Sequence, residues 1–509
     1  MKKQIFLLAI LLFVAVSFYA QVNGELTQVN DKWILQTWGT HMERGYAQGY
    51  LLSQPIMQIA NTYIFQIVAM GDTTIYNAIM NFYLTSFTIE QKYHQEAQGI
   101  INGMLASGNN INITGLNRQI NKDDLLLLNC LVDFYPYFSN INSIGGEGVH
   151  CSSLSSWGTS TQSDSLLNGN VVITRFMDWS QDGSLIANPL LVISHPAELD
   201  EQKWISFTYP GLLGGLSAIS ESGKAAFLNM GNDNTTTVIN NLHPVLLSIR
   251  NAIEMSDYND DNVDNIMDVY DAVDDGLSLS GTIIHAISEI PAVMTGVIET
   301  NNNLGTVMRT VSNNTLLPGM NLAATNHFRL LTYPVCCTRY ANIVDSLTAN
   351  PVITAKRQIS LLSGAAGQDN NMMAIQYIPD NGNILWSTAT LTQPAFQNQY
   401  LNLNRNVLMS YNTAVEDEEQ TPVLSGIRVY PNPARANSKI TIRSSQKMVS
   451  SLVIYNLKGQ RIAILQSEGY SYLWNGKNEQ GKTAGAGVYL LKIKGESGKN
   501  VISKLLLLP

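Results

Sequence analysis

Cysteine is scarce in this chain: four residues in 509, at positions 130, 151, 336 and 337. Adjacent Cys336 and Cys337 pair only under strain, and the other two lie far apart in sequence, which argues against a disulfide framework. At least one cysteine is therefore left to serve as a thiol. Basic clusters are also missing. With 30 Lys and Arg against 39 Asp and Glu, the net charge is -9, and a chain without a basic patch is a poor partner for nucleic acid phosphates. Long apolar runs end early. After residue 20 no segment approaches the roughly 18 to 20 uninterrupted apolar residues of a spanning helix, so no integral membrane segment is expected once the N-terminus is processed.

What is present begins with MKKQIFLLAILLFVAVSFYA, residues 1–20. Two lysines, an apolar run too short to span comfortably and a closing alanine have the order of a signal peptide, with removal expected near Ala20. From Trp33 to about Cys130 apolar residues recur at three and four, as in GYAQGYLLSQPIMQIANTYIFQIV and IEQKYHQEAQGIINGML, so residues 21–150 are expected to be mainly helical. From Cys151 the period shortens. CSSLSSWG and NVVITRFMDW flank a polar turn region, Thr159 to Gly169, and suggest a hairpin; PLLVISHP, WISFTYPG and KAAFLNMG are further strands. Residues 243–300 are expected to return to helix, and 355–410 to mix helix with the strands NMMAIQYIP and NILWSTATL. Helices with hairpin-linked strands imply an α+β layered core. An acidic linker, 411–426, separates it from 427–509, whose short alternating strands make a small all-β sandwich.

The cysteine in GGEGVHCSSLSSWG, residues 145–158, stands between a glycine-rich approach and a strand. Gly145, Gly146 and Gly148 permit backbone conformations closed to other residues, so the peptide before Cys151 can be held strained and accessible. A strained amide beside a thiol can undergo an N-to-S acyl shift and hydrolyse, cutting His150 from Cys151. The cut would create a catalyst. A free α-amine, with a pKa of about 7.7 to 8.0, sits on the same residue as the thiol, can take its proton and can later protonate a leaving amine.

Two resemblances extend this reading. VYPNP, YNLKGQ and WNGKNEQGKTAGAGVYLLKI resemble the type A sorting domain of the type IX secretion system of Bacteroidota, which implies export across the outer membrane, secretion or surface display, and the secretion machinery as a partner. That module speaks to address and not to chemistry, and a carbohydrate-binding β-module is the other reading of the same strands. HCSSLSSWGTSTQSDSLLNGNVVITRFMDWSQDG, followed in order by SAISESGKAAFLNMGN, AATNHF and CCTRY and preceded by GTHMERGYAQGYLLS, resembles the C45 family of N-terminal-nucleophile hydrolases and acyltransferases, relatives of penicillin acyltransferase. The likeness runs from about Trp33 to Tyr411. It implies an αββα four-layer sandwich over 151–410 with 21–150 as propeptide.

By this resemblance Cys151 is the nucleophile, and Arg175 and Asp178 are the pair beside it. The carboxylate would bind the new α-amine, and the guanidinium would steady thiolate and substrate charge. Relatives often have Asn after that arginine; here Phe176 stands there. A spacing of three puts Arg175 and Asp178 on opposite faces of a regular strand, so their convergence requires a bend or a strand end. Asn229 matches an oxyanion-hole amide, Asn326 a second polar group facing substrate or α-amine, and Arg339 an outer arginine. His327 is expected to be structural, since the α-amine supplies the base.

DYNDDNVDNIMD, residues 257–268, has Asp or Asn at the first, third and fifth places of a calcium loop, but Asn262 replaces the turn glycine and Asp268 the bidentate Glu. A capped acidic helix start is the reading preferred. PGLLGGLS lacks the lysine of a phosphate loop. Neither metal nor cofactor is therefore expected. The function implied is a secreted, self-cleaving amidohydrolase or acyltransferase acting on a carbon–nitrogen bond of a small-molecule or peptide amide through a thioester on Cys151. The alternative is a non-catalytic surface binding or adhesion protein on the same fold, with an intact His150–Cys151 bond.

Overall fold

The computed structural model describes residues 22–134, 150–231, 237–290, 294–313 and 316–410, and 427–508 apart from short gaps. The signal sequence, Gly145, Gly146, Gly148 and the linker 411–426 lie outside the described residues. The chain divides into two compact units, 1–412 and 413–509.

The first unit opens with strands β1 (Gly24–Val29) and β2 (Lys32–Gly39), an antiparallel hairpin turned at Asn30, whose φ is 56°. The helical reading from Trp33 is corrected here. WILQTW is rich in aromatic and β-branched residues and follows a turn-forming Asn-Asp pair, and both favour strand. Helix α1 (His41–Gln58) starts at Thr40, which makes a capping box with Glu43, and carries Pro55 shortly before a π-helical segment, Ile59–Val68. Helices α2 (Thr73–Ser86), α3 (Gln91–Ala106) and α4 (Lys122–Cys130) follow.

Helices α1 and α3 touch through glycine. A Cβ on Gly45 would stand 2.1 Å from the Glu96 carbonyl oxygen and one on Gly49 1.9 Å from that of Ile100; on the other helix, Gly99 and Gly103 face Met42 and Tyr46 in the same way. The four-residue spacing puts each glycine pair on one helix face. The closeness brings charged side chains together. His41 bonds Glu96 through Nδ1 at 2.6 Å and Glu201 through Nε2 at 2.8 Å, and Arg44 pairs with Glu198 and Glu201.

Past Cys151 come β3 (Ser152–Ser156), β4 (Val172–Asp178), a short helix α5 (Gly183–Ile186), β5 (Leu190–Pro196), β6 (Trp204–Thr208), β7 (Ser217–Ser220) and β8 (Ala225–Met230). Next are α6 (Val245–Glu254), α7 (Ile266–Asp275), β9 (Thr282–Ile287), β10 (Thr295–Asn301), β11 (Gly305–Arg309) and β12 (Asn321–Ala324). The unit closes with α8 (Thr338–Ala349), α9 (Ala355–Ala366), β13 (Asn371–Ile378), β14 (Asn383–Thr388), β15 (Leu401–Asn404) and α10 (Arg405–Met409). Residues 282–287 and 295–301 thus form a pair of antiparallel strands where helix was expected. Its strands are buried on both faces, which erases the period-2 signal.

A nine-stranded sheet runs β1-β2-β5-β6-β7-β8-β9-β10-β11, and a six-stranded sheet runs β12-β3-β4-β13-β14-β15. All pairings are antiparallel except β2 with β5, which run parallel from Trp33 opposite Leu190 to Gly39 opposite Pro196. Alternation along β4 and β13 reveals the layers. Ile173, Met177, Met373, Ile375 and Tyr377 share one hydrophobic core with the nine-stranded sheet, and Val172, Phe176, Ala374 and Ile378 share another with α8 and α9. Helices α6 and α7 pack on the nine-stranded sheet. No helix among the described residues is long and apolar enough to cross a membrane.

In the second unit, β16 (Ile427–Tyr430), β18 (Ile440–Ser444) and β21 (Ser471–Trp474) form one sheet. The other contains β17 (Ala434–Arg435), β19 (Leu452–Asn456), β20 (Arg461–Leu465), β22 (Gly487–Lys494) and β23 (Asn500–Leu508). Alternate residues, Ile440 and Ile442, Leu452 and Ile454, Tyr472 and Trp474, Tyr489 and Leu491, build its core, as a period of two demands.

Candidate active site

Cys151 stands immediately before β3 and is 3% exposed. Around it the structure gathers Arg175 from the middle of β4, Asp178 from its end and Arg339 from the first turn of α8. Arg175 donates through Nη2 to the Leu228 carbonyl at 2.7 Å, with the same nitrogen 3.9 Å from Cys151 Sγ. Arg339 donates through Nη1 to the Cys151 carbonyl at 2.6 Å and to Ser152 Oγ at 2.7 Å. Its Nη2 donates to Asn326 Oδ1 at 2.9 Å and lies 3.4 Å from His150 Nδ1. Asn326 in turn donates to the Met230 carbonyl at 2.8 Å.

Asp178 is the last residue of β4, the strand end that its spacing from Arg175 allows. Opposite Met177 and Asp178 the register of β13 shifts between Asn371 and Met373, an irregularity of the kind that re-aims side chains next to functional sites. Asp178 is fully buried and accepts from Asn371 Nδ2 at 2.8 Å. Among the described residues its Oδ2 has no hydrogen-bond partner, and neither do Nε and Nη1 of Arg175.

Electrostatics follow from that burial. Desolvation pushes the Asp178 carboxyl up to about 7, against the pull of Asn371, Arg339 and Arg175. Burial likewise raises the Cys151 thiol above its usual value, with Arg175 opposing, and lowers the Arg175 guanidinium. The resting thiol is therefore protonated and needs a base.

Asn229 on β8 is placed one layer away from the thiol. Its Nδ2 donates to Ser153 Oγ at 3.4 Å and to the Thr325 carbonyl at 3.5 Å, and its Oδ1 has no partner. Among the described residues no hydrogen bond joins His327 to Cys151. The serines of β3, read from sequence only as β-prone, form a buried polar bridge between the sheets. Ser153 and Ser155 bond the two ring nitrogens of His285 at 2.8 Å each, while Ser156 and Thr174 bond Gln358 on the other face. His285 is held neutral by burial, its pKa pushed down to about 3.

The thiol opens on a pocket enclosing about 660 Å³ between atoms, partly open to solvent. Ile59, Tyr63, Leu128, Leu131 and Val132 come from before the His150–Cys151 bond, and Met177, Tyr209, Leu216 and Met230 from after it. Trp179 also lines it and donates to Tyr63 Oη at 2.6 Å. Apart from Cys151 and Arg175 the walls are apolar or aromatic.

The remaining motifs resolve into packing. Asn265 caps α7, and the buried ammonium of Lys224 pairs with Asp264 and Asp268; the acidic loop carries its own cation. In PGLLGGLS the N–H groups of Leu213 and Gly214 donate to Asn129 Oδ1, and Gly214 packs against Leu246. His41, Glu198 and Glu201 place potential ligand atoms within 4.8 Å of one another, but both carboxylates bind Arg44. All four cysteines are free thiols.

No curated protein sequence matches the chain. Among solved structures it is similar to the Caenorhabditis elegans ortholog of N-acylethanolamine-hydrolyzing acid amidase, with 14% identity over 45% of this chain and 93% of that one, at a TM-score of 0.34. It is also similar to a mutant of conjugated bile acid hydrolase from Clostridium perfringens, with 9% identity over 51% of this chain and 95% of that one, at 0.33. Residues 428–507 match the family described as "Secretion system C-terminal sorting domain". The C-terminal part of the chain is thus a sorting domain of the type IX secretion system.

Proposed function

We propose that the first unit is a cysteine N-terminal-nucleophile amidohydrolase of αββα architecture, which cuts itself between His150 and Cys151 and is exported under the direction of its sorting domain. In this reading 1–20 is the signal peptide, 21–150 the propeptide that becomes a second chain, 151–410 the catalytic part, 411–426 a linker and 427–509 the sorting sandwich. One observation carries the reading: Arg175, Asp178, Asn326 and Arg339 gather around Cys151, which with Arg175 lines an apolar pocket, while Asp178 Oδ2 and two Arg175 nitrogens have no partner among the described residues. Buried polar atoms are almost always bonded. Unmet ones beside a thiol are groups held ready for something that arrives.

Maturation begins when Sγ attacks the His150 carbonyl; the C–N bond breaks, the nitrogen takes up a proton as the Cys151 amine, and water then releases the His150 carboxylate from the thioester. Arg339, bonded to the Cys151 carbonyl and beside His150, holds both sides of that bond in place. The freed α-amine reaches Asp178 Oδ2. In turnover the α-amine takes the thiol proton, Sγ attacks the substrate carbonyl, and Asn229 with a backbone N–H stabilises the oxyanion. The amine leaves with the proton from the α-amine, and water resolves the thioester. A competing amine nucleophile would give acyl transfer instead. The pocket walls favour an apolar acyl group.

Intact mass and N-terminal sequencing of wild type beside Cys151→Ala test the reading. The expected result is a fragment beginning at Cys151 in wild type and none in the variant. An uncut wild-type chain across a range of pH would overturn it and leave surface binding as the function.

A further inference from the structure

Asn371 belongs to no motif and begins β13 almost two hundred residues beyond Asp178. It is fully buried. Its Nδ2 donates to Asp178 Oδ1 at 2.8 Å, to the Met373 carbonyl at 3.1 Å and to the Met177 carbonyl at 3.2 Å. Its Oδ1 accepts the Phe396 N–H at 3.0 Å, and Phe396 stacks on Phe176 with ring centroids 5.5 Å apart. Every polar atom of this amide is engaged, and each partner fixes its orientation: the end of β4, the irregular start of β13 and the turn at Ala395–Gln397.

We infer that Asn371 is a positioning residue for Asp178, clamping Oδ1 so that Oδ2 stays aimed at the amino nitrogen of Cys151. This inference rests on the proposed hydrolase reading for its purpose, but not for its geometry. Two features make the clamp more than a packing contact. Asn371 stands directly opposite Asp178 where the β13 register shifts, so its amide reaches that carboxyl across the pair of strands. It is also the one side-chain hydrogen-bond donor to Asp178 among the described residues. The other charged or titratable groups that face this carboxyl are Cys151, Arg175 and Arg339.

A carboxylate prefers hydrogen-bond donors and a neutral carboxyl tolerates their loss. Removing the Asn371 amide therefore lets burial push Asp178 further above its present value. The folded carboxyl already titrates above its unfolded counterpart, so its contribution to stability is complete below the unfolded pKa and is lost as pH rises through the folded one. A higher folded pKa extends that loss to higher pH.

The test is a double-mutant cycle of thermal unfolding in the uncut Cys151→Ala chain, with Asn371→Leu and Asp178→Asn alone and together, at pH 5 and pH 8. The expected result is a Tm penalty for Asn371→Leu that is larger at pH 8 than at pH 5 by about 2 °C, with the pH difference gone in the Asp178→Asn background. A penalty equal at both pH values and in both backgrounds would make Asn371 a packing residue and overturn the inference. If Asn371→Leu does not fold, Asn371→Ser and Asn371→Ala stand in, the serine keeping a donor and staying nearer to wild type in its pH dependence; equal behaviour of the two counts against the clamp. A wild type that never cuts defeats the hydrolase reading but leaves the unfolding cycle to decide Asn371.

Discussion

Two sets of buried carboxylates in the first unit have opposite fates. Glu96 and Glu254 sit around Arg250, which donates to both Glu96 oxygens at 3.0 and 2.7 Å, to Glu254 at 2.8 Å and to the Leu213 carbonyl at 2.9 Å. Burial pushes both carboxyls up, but Arg250, with His41 and Lys92, pulls them well below the ordinary range. Asp178 is equally buried and ends near 7, because its facing arginines donate to carbonyls and, among the described residues, only Asn371 donates to its side chain. The difference lies in the partners, not in the depth. Arg250 has all three guanidinium nitrogens bonded, whereas Asp178 and Arg175 keep atoms unmet among the described residues.

The sharpest way to break this comparison is at Arg250. Arg250→Met strands two buried carboxylates, and the expected cost is about 3–5 kcal/mol, read by denaturant unfolding of the uncut Cys151→Ala chain; a loss below about 1 kcal/mol would mean that water already reaches the cluster. Titration of stability gives the next effect. Asp178 and Asp133, the latter raised by burial to about 8, have folded pKa values above their unfolded ones, so their contribution falls as pH climbs from about 4 through 7 and 8. Glu96 and Glu254, with lowered values, contribute above the unfolded pKa and lose it on acidification. Stability therefore declines on both sides of about pH 4, and Asp178→Asn is expected to flatten the alkaline side by about 4 kcal/mol without altering the acid side. Equal slopes in wild type and variant would mean that Asp178 is ionised throughout. Smallest is Tyr63→Phe, which leaves the Trp179 N–H without its acceptor and is expected to cost about 1 kcal/mol, measured by the same unfolding, with no change in either slope.

Much of the site was readable in the sequence only as an ordered set of short motifs. Cys151, Arg175, Asp178, Asn326 and Arg339 do meet. Asn229 is nearby but bonded to Ser153 and Thr325, because a single residue in a strand gives no clue to where its amide will find an acceptor. The bend or strand end needed at Asp178 could be demanded from its spacing but not located, and the register irregularity opposite it lies in β13. Asn371 opens the run NMMAIQYIP, which reads as a strand and gives no sign of a partner almost two hundred residues back. The serines of β3 read only as β-prone; their polar partner His285 lies more than a hundred residues on and could not be found from their own stretch. Helix periods in α1 and α3 were clear, but the glycine-to-carbonyl contacts that make the two helices cross so closely belong to the pair and not to either alone.

The parallel ladder between β2 and β5 joins residues that precede Cys151 to residues that follow it. In an uncut chain it is an ordinary intramolecular pairing, re-formed from its own unfolded state at any dilution. If the His150–Cys151 bond is hydrolysed as proposed, the same ladder becomes a subunit interface, and its refolding depends on concentration. Self-cleavage would then divide the life of this protein into a reversible stage and one in which unfolding is followed by separation, so that activation also sets a limit on recovery from heat.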